Sequence, residues 1–416
     1  MFRGIPAAIV ALPLLAIHSE TARAADLIEP VAVTGYNWSG FYVGAGGGGG
    51  AVVRELSIPG LFTLDGTGGE GWFGEVTTGY DHMLTDRILV GVFADYRFGG
   101  IETDFQIAGL GFGFTNSLEQ GWDVGGRIGF LLTPETLAYG LLAWSHQDFE
   151  ISTPFGGLEW DADGYAVGGG LETVLGGNWT LKGEYRYTQY DPLDLFGLGF
   201  INLEPATHTF HASLNYRFGG ASGETHGFVP AEYDFTGLKA GLAGGFGAVV
   251  HEFTIPPLTL TYDGFGGDGA FAEVSLSYDY DLGNNWVVGV GGDYRWGNIE
   301  SSLSLLGLNI TLTADRGYDL FGRLGYKPAT GTLVYGLAGY ASQHFELTSN
   351  IGLGDDYDVH GWTAGAGIET ALSDRWTAKI EYRYAEYDGY DFGTGGLIDL
   401  APSTHTVRAG LNYKLF

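Results

Sequence analysis

From Trp38 onward the chain runs in segments of about ten residues where apolar side chains alternate with small or polar ones, a period-two pattern that predicts half-exposed β-strands. In the first half these segments fall near 38–50, 71–81, 87–98, 119–132, 137–147, 163–173, 178–189 and 207–218, and the second half repeats them. Segment 178–189 shows how the faces divide. Trp179, Leu181, Gly183, Tyr185 and Tyr187 share one side, while Thr180, Lys182, Glu184, Arg186 and Thr188 share the other. In the third segment Ile88, Val90, Val92, Ala94 and Tyr96 alternate with a face that carries Asp95 and Arg97. An aromatic and apolar outer face over a charged interior is the polarity of a strand in lipid; a soluble barrel has the reverse.

The connections sort by length. Short turns, as at His82–Asp86, Thr133–Thr136, Leu175–Asn178, Leu282–Asn285, Pro328–Gly331 and Ser373–Arg375, alternate with long stretches such as Arg54–Gly69, Gly99–Leu118, Phe149–Asp161 and Asp191–Ala206. Tight periplasmic turns and extended outer loops give that alternation in an outer-membrane barrel. No later stretch approaches the ~20 unbroken apolar residues of a membrane helix, so a membrane would be crossed by strands.

The chain also aligns with itself at an offset near 197 residues. Trp179-Thr180-Leu181-Lys182-Gly183-Glu184-Tyr185-Arg186-Tyr187 returns as Trp376-Thr377-Ala378-Lys379-Ile380-Glu381-Tyr382-Arg383-Tyr384, and Leu214-Asn215-Tyr216-Arg217 returns as Leu411-Asn412-Tyr413-Lys414. A fixed internal period marks repeated structural units. Residues 219–232 break the strand period and read as a linker. The organisation expected is a signal peptide over 1–24, a first eight-stranded repeat over 25–223 and a second over 224–416. Arg3, the apolar run Ile5–Ile17 and the small residues Ala22-Arg23-Ala24 carry the export signal, with cleavage near Ala24.

Charge refines this picture. Forty-nine acidic residues against 19 basic ones give a net charge of −30, which excludes the basic face that nucleic acid needs. Period two places five acids inside the first half (Glu75, Asp95, Asp123, Glu172, Glu184) with five bases (Arg97, Arg127, Lys182, Arg186, Arg217). The second half gives Glu273, Asp293, Asp319, Glu369 and Glu381 with Arg295, Arg323, Lys379, Arg383 and Lys414, and adds Lys239. Such balance suits a narrow, water-poor lumen, where an unpaired buried ion costs several kcal/mol; a wet pore wall that happens to be balanced is the alternative. The excess acid then belongs to the outer loops, at Glu55, Asp65, Glu102, Asp104, Glu150, Asp161, Asp163, Asp191 and Asp194. Among these acids lie apolar tips at 58–62, 110–114 and 195–200. They suit hairpins that continue above the membrane and pack on one another or on lipopolysaccharide, or else a contact site for an extracellular ligand.

A family resemblance adds to the residue reading. Trp38-Ser39-Gly40-Phe41-Tyr42-Val43-Gly44, with Glu184-Tyr185-Arg186-Tyr187 and the ending Tyr216-Arg217-Phe218, resembles the porin-family outer-membrane proteins of alphaproteobacteria, which are similar to the eight-stranded OmpA-type membrane domain. Each half covers one such domain. The resemblance implies residence in the outer membrane among its lipids and lipopolysaccharide, and it implies that the terminal Phe416 is offered to the barrel-assembly machinery. The second copy departs at Leu238-Lys239, where the first has Phe41-Tyr42, and its end Tyr413-Lys414-Leu415-Phe416 is one residue longer.

Catalytic chemistry is sparse. Cysteine is absent, no metal-ligand or phosphate-loop motif occurs in a credible setting, and Gly46–Gly50 is not followed by a helix pattern. The paired His146/His344 and His208/His405 read as rim or girdle residues. No cofactor is expected and no enzyme activity, with a lipid-modifying rim enzyme the alternative class. No peptidoglycan-binding domain is expected, since the strand pattern runs to Phe416. The fold expected is an all-β, transmembrane antiparallel barrel with sixteen strands in total. The favoured arrangement is two tandem eight-stranded up-and-down barrels with lumens filled by paired charges and a structural or surface-interaction role. The alternative is one sixteen-stranded diffusion porin passing small hydrophilic solutes.

Overall fold

The computed structural model describes residues 36–58, 61–194, 202–222, 233–352, 354–392 and 398–416. The export segment, the boundary near 224 and the tip 195–200 lie outside the described residues. In the first half the strands are β1 (Gly40–Ile58), β2 (Phe62–Met83), β3 (Ile88–Ile107), β4 (Phe112–Thr133), β5 (Thr136–Thr153), β6 (Gly156–Gly176), β7 (Trp179–Tyr190), the stub β8 (Leu193–Asp194) and β9 (Asn202–Arg217). The second half has β10 (Gly237–Ile255), β11 (Leu260–Gly283), β12 (Trp286–Leu305), β13 (Leu308–Ala329), β14 (Thr332–Ser349), β15 (Gly354–Ala371), β16 (Trp376–Tyr387), the stub β17 (Tyr390–Phe392) and β18 (Ile398–Lys414).

Register decides how these strands close. A single sixteen-stranded barrel needs β9 beside β10 and β1 beside β18. Instead β1 pairs with β9, Tyr42 opposite Arg217, and β10 pairs with β18, Lys239 opposite Lys414. With β1 also paired to β2 and β10 to β11, each half closes on itself. The extra residue at the chain end falls past the last strand: Trp179 faces Tyr216 and Trp376 faces Tyr413, so both copies share one register.

The strands are longer than the alternation predicts. β1 runs to Ile58 rather than residue 50, and β3 to Ile107 rather than 98. What reads as long loops is largely hairpin, because glycine and polar residues there weaken the apolar period while the backbone ladder continues, through register shifts at Arg54/Glu55 and between Phe98 and Ile101, without any need for lipid contact. Exposed aromatics mark the membrane band. Phe41, Phe130, Trp179, Trp286 and Trp376 lie toward the short turns, and Trp72, Trp122, Trp144, Trp296 and Trp362 form the opposite ring. From Trp122 to Phe130 along β4 is about 27 Å at ~3.4 Å per residue, or about 20 Å across a bilayer at ~40° of tilt, in keeping with the apolar belt of such barrels.

Above that band the two halves share strands. The top of β2 pairs with β12, Leu64 opposite Leu303, and the top of β3 pairs with β11, Phe105 opposite Tyr262. Because β2 and β11 are the same element of the repeat, as are β3 and β12, the exchange is reciprocal and has the two-fold character of an isologous interface. On the axis a Cβ added at Gly68 would stand 2.8 Å from Gly266 Cα, and one at Gly66 only 1.9 Å from the Gly266 carbonyl oxygen. Only glycine permits that approach.

Candidate functional site

Each lumen is filled in tiers. At the short-turn end of the first barrel Trp38, wholly buried, donates from Nε1 to the Pro134 carbonyl at 3.0 Å and packs with Tyr36, Leu89, Leu131 and Leu137. Tyr233, Phe235, Val287 and Leu333 close the second barrel in the same way. At the other end of the first lumen Val52, Ile101, Leu118, Phe149 and Tyr190 form a second apolar layer.

Between these layers lies a buried ion network. Arg186 is fully buried and reaches Asp95 at 2.5 Å, Asp123 at 2.6 Å and Glu184 at 2.5 Å. Arg97 meets Asp123 at 3.2 Å, and Lys182 meets Glu75 at 3.4 Å. Arg127 bridges Asp81 and Glu172, the latter at 2.9 Å, and Arg217 holds the same two carboxylates at 2.7 and 3.1 Å. The second barrel repeats this set: Arg383 with Asp293, Asp319 and Glu381, Arg295 with Asp319, Arg323 with Asp279 and Glu369, and Lys379 with Glu273. Tyr139 and Tyr335 donate to Glu184 and Glu381, each at 2.6 Å. Inward glycines give the network room, since a Cβ on Gly91 or Gly289 would lie 2.0 Å from a carboxylate oxygen of Asp81 or Asp279.

Lys414 is not part of it. Its Nζ turns to the half-exposed rim and bonds Asp234, with the carboxylate at 3.3 Å and the carbonyl at 2.7 Å. The vacated position is taken from the neighbouring strand by Lys239, which reaches Asp279 at 2.8 Å and Glu369 at 3.1 Å. Tyr42/Arg217 in one barrel corresponds to Lys239/Lys414 in the other: with a cation on β10 holding the two carboxylates, the one on β18 turns to the rim. Four network members escaped the sequence reading. Asp81 and Asp279 share the inward parity of Glu75 and Glu273 but sit where the strand runs into its turn, while His211 and Arg408 occupy one inward position that differs in residue type.

The polar filling leaves little space. A void in the first barrel beside Arg97, Gln147, Tyr190 and Thr209 measures about 20 Å³, room for about one water molecule.

A second face of interest runs between the barrels. The outward side of β7, expected to meet lipid, instead packs in part on the second barrel: Tyr185 stacks on Phe246 and Phe210 on Tyr382, with Leu171, Leu181, Ile368 and Ile380 in the same apolar cluster. Thr136 and Thr332 hydroxyls meet at 3.1 Å across it. Two equivalent polar contacts flank the axis. His405 Nε2 is 2.9 Å from Glu70, and His208 Nε2 is 3.2 Å from Asp268; Tyr382 and Tyr185 each hold the other ring nitrogen at 2.7 Å. Ser403 Oγ donates to the same Glu70 carboxylate. His146 bonds Asp163 at 2.7 Å and stacks on Trp122, and His344 lies 3.2 Å from the Tyr357 carbonyl.

Above the membrane, carboxylates oppose one another across the shared strands: Asp263 stands in register with both Glu252 and Asp104. Burial, Glu70 and those two carboxylates push the Asp263 carboxyl up to about 6. Arg54, buried and donating to Thr103 at 2.9 Å, is pulled down to about 10 by burial. Of the outer acids, Glu102, Asp104, Asp161 and Asp191 are exposed, whereas Glu55, Glu150 and Asp163 are half-buried. The apolar tips divide. Phe114 stacks on Phe105, which touches Tyr262 of the second barrel, while Leu61, Phe155, Leu258, Leu306 and Ile351 stand exposed, Phe155 to 86% and Leu306 to 76%.

Known proteins are similar to parts of this chain. The model of the outer membrane protein beta-barrel domain family matches residues 9–218 and again 226–414. A 31 kDa outer-membrane immunogenic protein of Brucella melitensis is 33% identical over 208 residues, 43% of this chain and 82% of that protein. A 25 kDa outer-membrane immunogenic protein of Brucella abortus is 33% identical over 152 residues, 35% of this chain and 64% of its own. Among solved structures, Ail, the attachment invasion locus protein of Yersinia pestis, aligns over 42% of this chain and 98% of that one at 14% identity and a TM-score of 0.26.

Proposed function

The chain belongs, through both of its halves, to the outer-membrane β-barrel family, and we propose that it is a non-conducting, non-enzymatic envelope protein that acts through its extracellular hairpins. It resides in the outer membrane. The observation that carries the proposal is the filled lumen: apolar layers stand above and below a paired-ion core in the first barrel, and a matching ion core fills the second. Eight strands leave an interior that side chains can occupy completely, so in this reading the lumens, filled as they are among the described residues, carry no solute and the work falls to the outer surface.

That surface combines acidic strands with exposed apolar tips at Leu61, Phe155, Leu258, Leu306 and Ile351. Apolar side chains held far above a membrane band are costly to leave in water, which favours a role in contact with another surface or with an extracellular ligand. Sequence likeness supports an outward-facing role, since the relatives are named as outer-membrane immunogenic proteins. Lipopolysaccharide and lipid surround the barrels in this reading, and Phe416, exposed to 83% past the end of β18, is the residue offered to the assembly machinery.

The experiment is to replace the five exposed tip residues with serine in the full chain, display both forms on cells, and compare adhesion to apolar and protein-coated surfaces. Loss of adhesion at unchanged surface amount is expected. Equal adhesion of both forms overturns the assignment to the tips.

A further inference from the structure

The two lumens differ in one paired position that changes their charge balance. In the second barrel six carboxylates, Asp279 among them, face six permanent cations, Arg408 included. In the first, the six equivalent carboxylates face five such cations, Arg97, Arg127, Lys182, Arg186 and Arg217, and His211 occupies the position of Arg408. Arg54 does not make up the difference, because it sits beyond the apolar layer of Val52 and Phe149 and bonds Thr103 instead.

Hydrogen-bond directions point the same way. Arg408 donates from Nη1 to Glu273 at 2.5 Å and from Nη2 to Thr406 Oγ1 at 2.7 Å, while the Thr406 hydroxyl donates onward to the Arg383 carbonyl at 3.3 Å. The first barrel has the same chain of contacts. His211 Nδ1 is 2.5 Å from Glu75, Nε2 is 3.0 Å from Thr209 Oγ1, and Thr209 donates onward to the Arg186 carbonyl at 3.4 Å. A carboxylate oxygen accepts, and so does a hydroxyl whose own proton is committed elsewhere. With the Thr209 proton directed to the Arg186 carbonyl, as Thr406 directs its own to the Arg383 carbonyl, both ring nitrogens are left to donate, which only the imidazolium can do.

We propose that His211 is a structural proton-binding site: it is held as the imidazolium and serves as the sixth cation of the first lumen, the role Arg408 fills permanently in the second. The groups that face it set the balance. Glu75 on β2 contacts it directly, Glu184 lies opposite on β7, and Asp123 on β4 acts from farther off; all three favour the charge. Burial and the neighbouring Arg186 oppose it, Lys182 stands beside them on β7, and the Phe73 ring closes one side at 4.9 Å. β1 presents only glycine there, Gly46 and Gly48. The first barrel is therefore the one that responds to proton loss. Each pH unit over which the folded chain keeps this proton while the unfolded chain has lost it weakens that barrel's folding equilibrium about tenfold.

The test uses the full chain refolded in lipid with ¹⁵N-labelled histidine. The His211 ring, identified by its loss in H211Q or by its through-space contact with Phe73, is expected to carry protons on both nitrogens at neutral pH. Hydrogen exchange of β9 amides should accelerate as pH rises beyond the intrinsic dependence, while β18 amides follow only that dependence. H211R should remove the difference, and R408H should transfer it to β18. A singly protonated His211 ring at neutral pH, or β9 and β18 responding alike in the wild-type chain, overturns the proposal.

Discussion

Removing Arg186 tests how the ion network holds the first barrel. Its guanidinium is fully buried and touches three carboxylates, but they do not depend on it equally. Asp123 keeps Arg97 at 3.2 Å, and Glu184 keeps the Tyr139 hydroxyl at 2.6 Å with Lys182 at 3.8 Å. Asp95 has its ion pair with Arg186 at 2.5 Å and is itself buried. R186M therefore strands one carboxylate outright. Breaking one buried pair from one side costs about 3–5 kcal/mol, a change in the folding constant of roughly a hundred- to several-thousand-fold. The double variant R186M/D95N removes the stranded charge and should regain more than half of the loss. Equilibrium urea unfolding of the full chain in lipid vesicles, with β7 and β16 followed separately by hydrogen exchange, measures both numbers. A loss for R186M below about 1 kcal/mol, or a double variant weaker than the single one, refutes the reasoning.

Three further outcomes follow from the geometry. K239M should destabilise the second barrel by about 3–5 kcal/mol as a buried partner lost, while K414M should change it by less than about 1 kcal/mol as a rim pair; denaturant midpoints compare them. The raised Asp263 carboxyl means that the folded seam binds this proton more tightly than the unfolded chain, so the seam strengthens as pH falls from about 6 toward the ordinary value of 3.8 and is weaker above 6. D263N should flatten that dependence, read by cross-linking between introduced cysteines on the tops of β3 and β11. G68V places a side chain against Gly266 and should part the shared strands, lowering the same cross-linking yield while each barrel keeps its resistance to unfolding.

Much of this architecture was legible in the chain. The duplication follows from the self-alignment at an offset near 197 residues, and the eight strands per half and the inward parity of residues such as Glu75, Asp123 and Arg186 follow from period two, because a strand in lipid must present apolar side chains on one face at every second position. The limits have physical causes. Above the membrane that demand lapses, so β1 beyond residue 50 and β3 beyond 98 lose their alternation without losing their ladder. Asp81 and Asp279 stand beside turns, where a carboxylate more often meets water. Lys414 keeps the parity of Arg217, but parity cannot reveal that Lys239 had already filled the place. The exchange of β2 with β12 and of β3 with β11 joins residues some 150 to 240 positions apart, and pairing between barrels leaves no periodic trace. For that reason Leu181 and Tyr185 look like lipid-facing residues although they pack on the other barrel.

The central claim is that the chain forms two closed, filled barrels and no pore. Single-channel recording of the full chain in planar bilayers tests it most directly: a silent membrane, or brief openings far below those of a water-filled porin, is the predicted result, whereas large, stable openings would contradict the account.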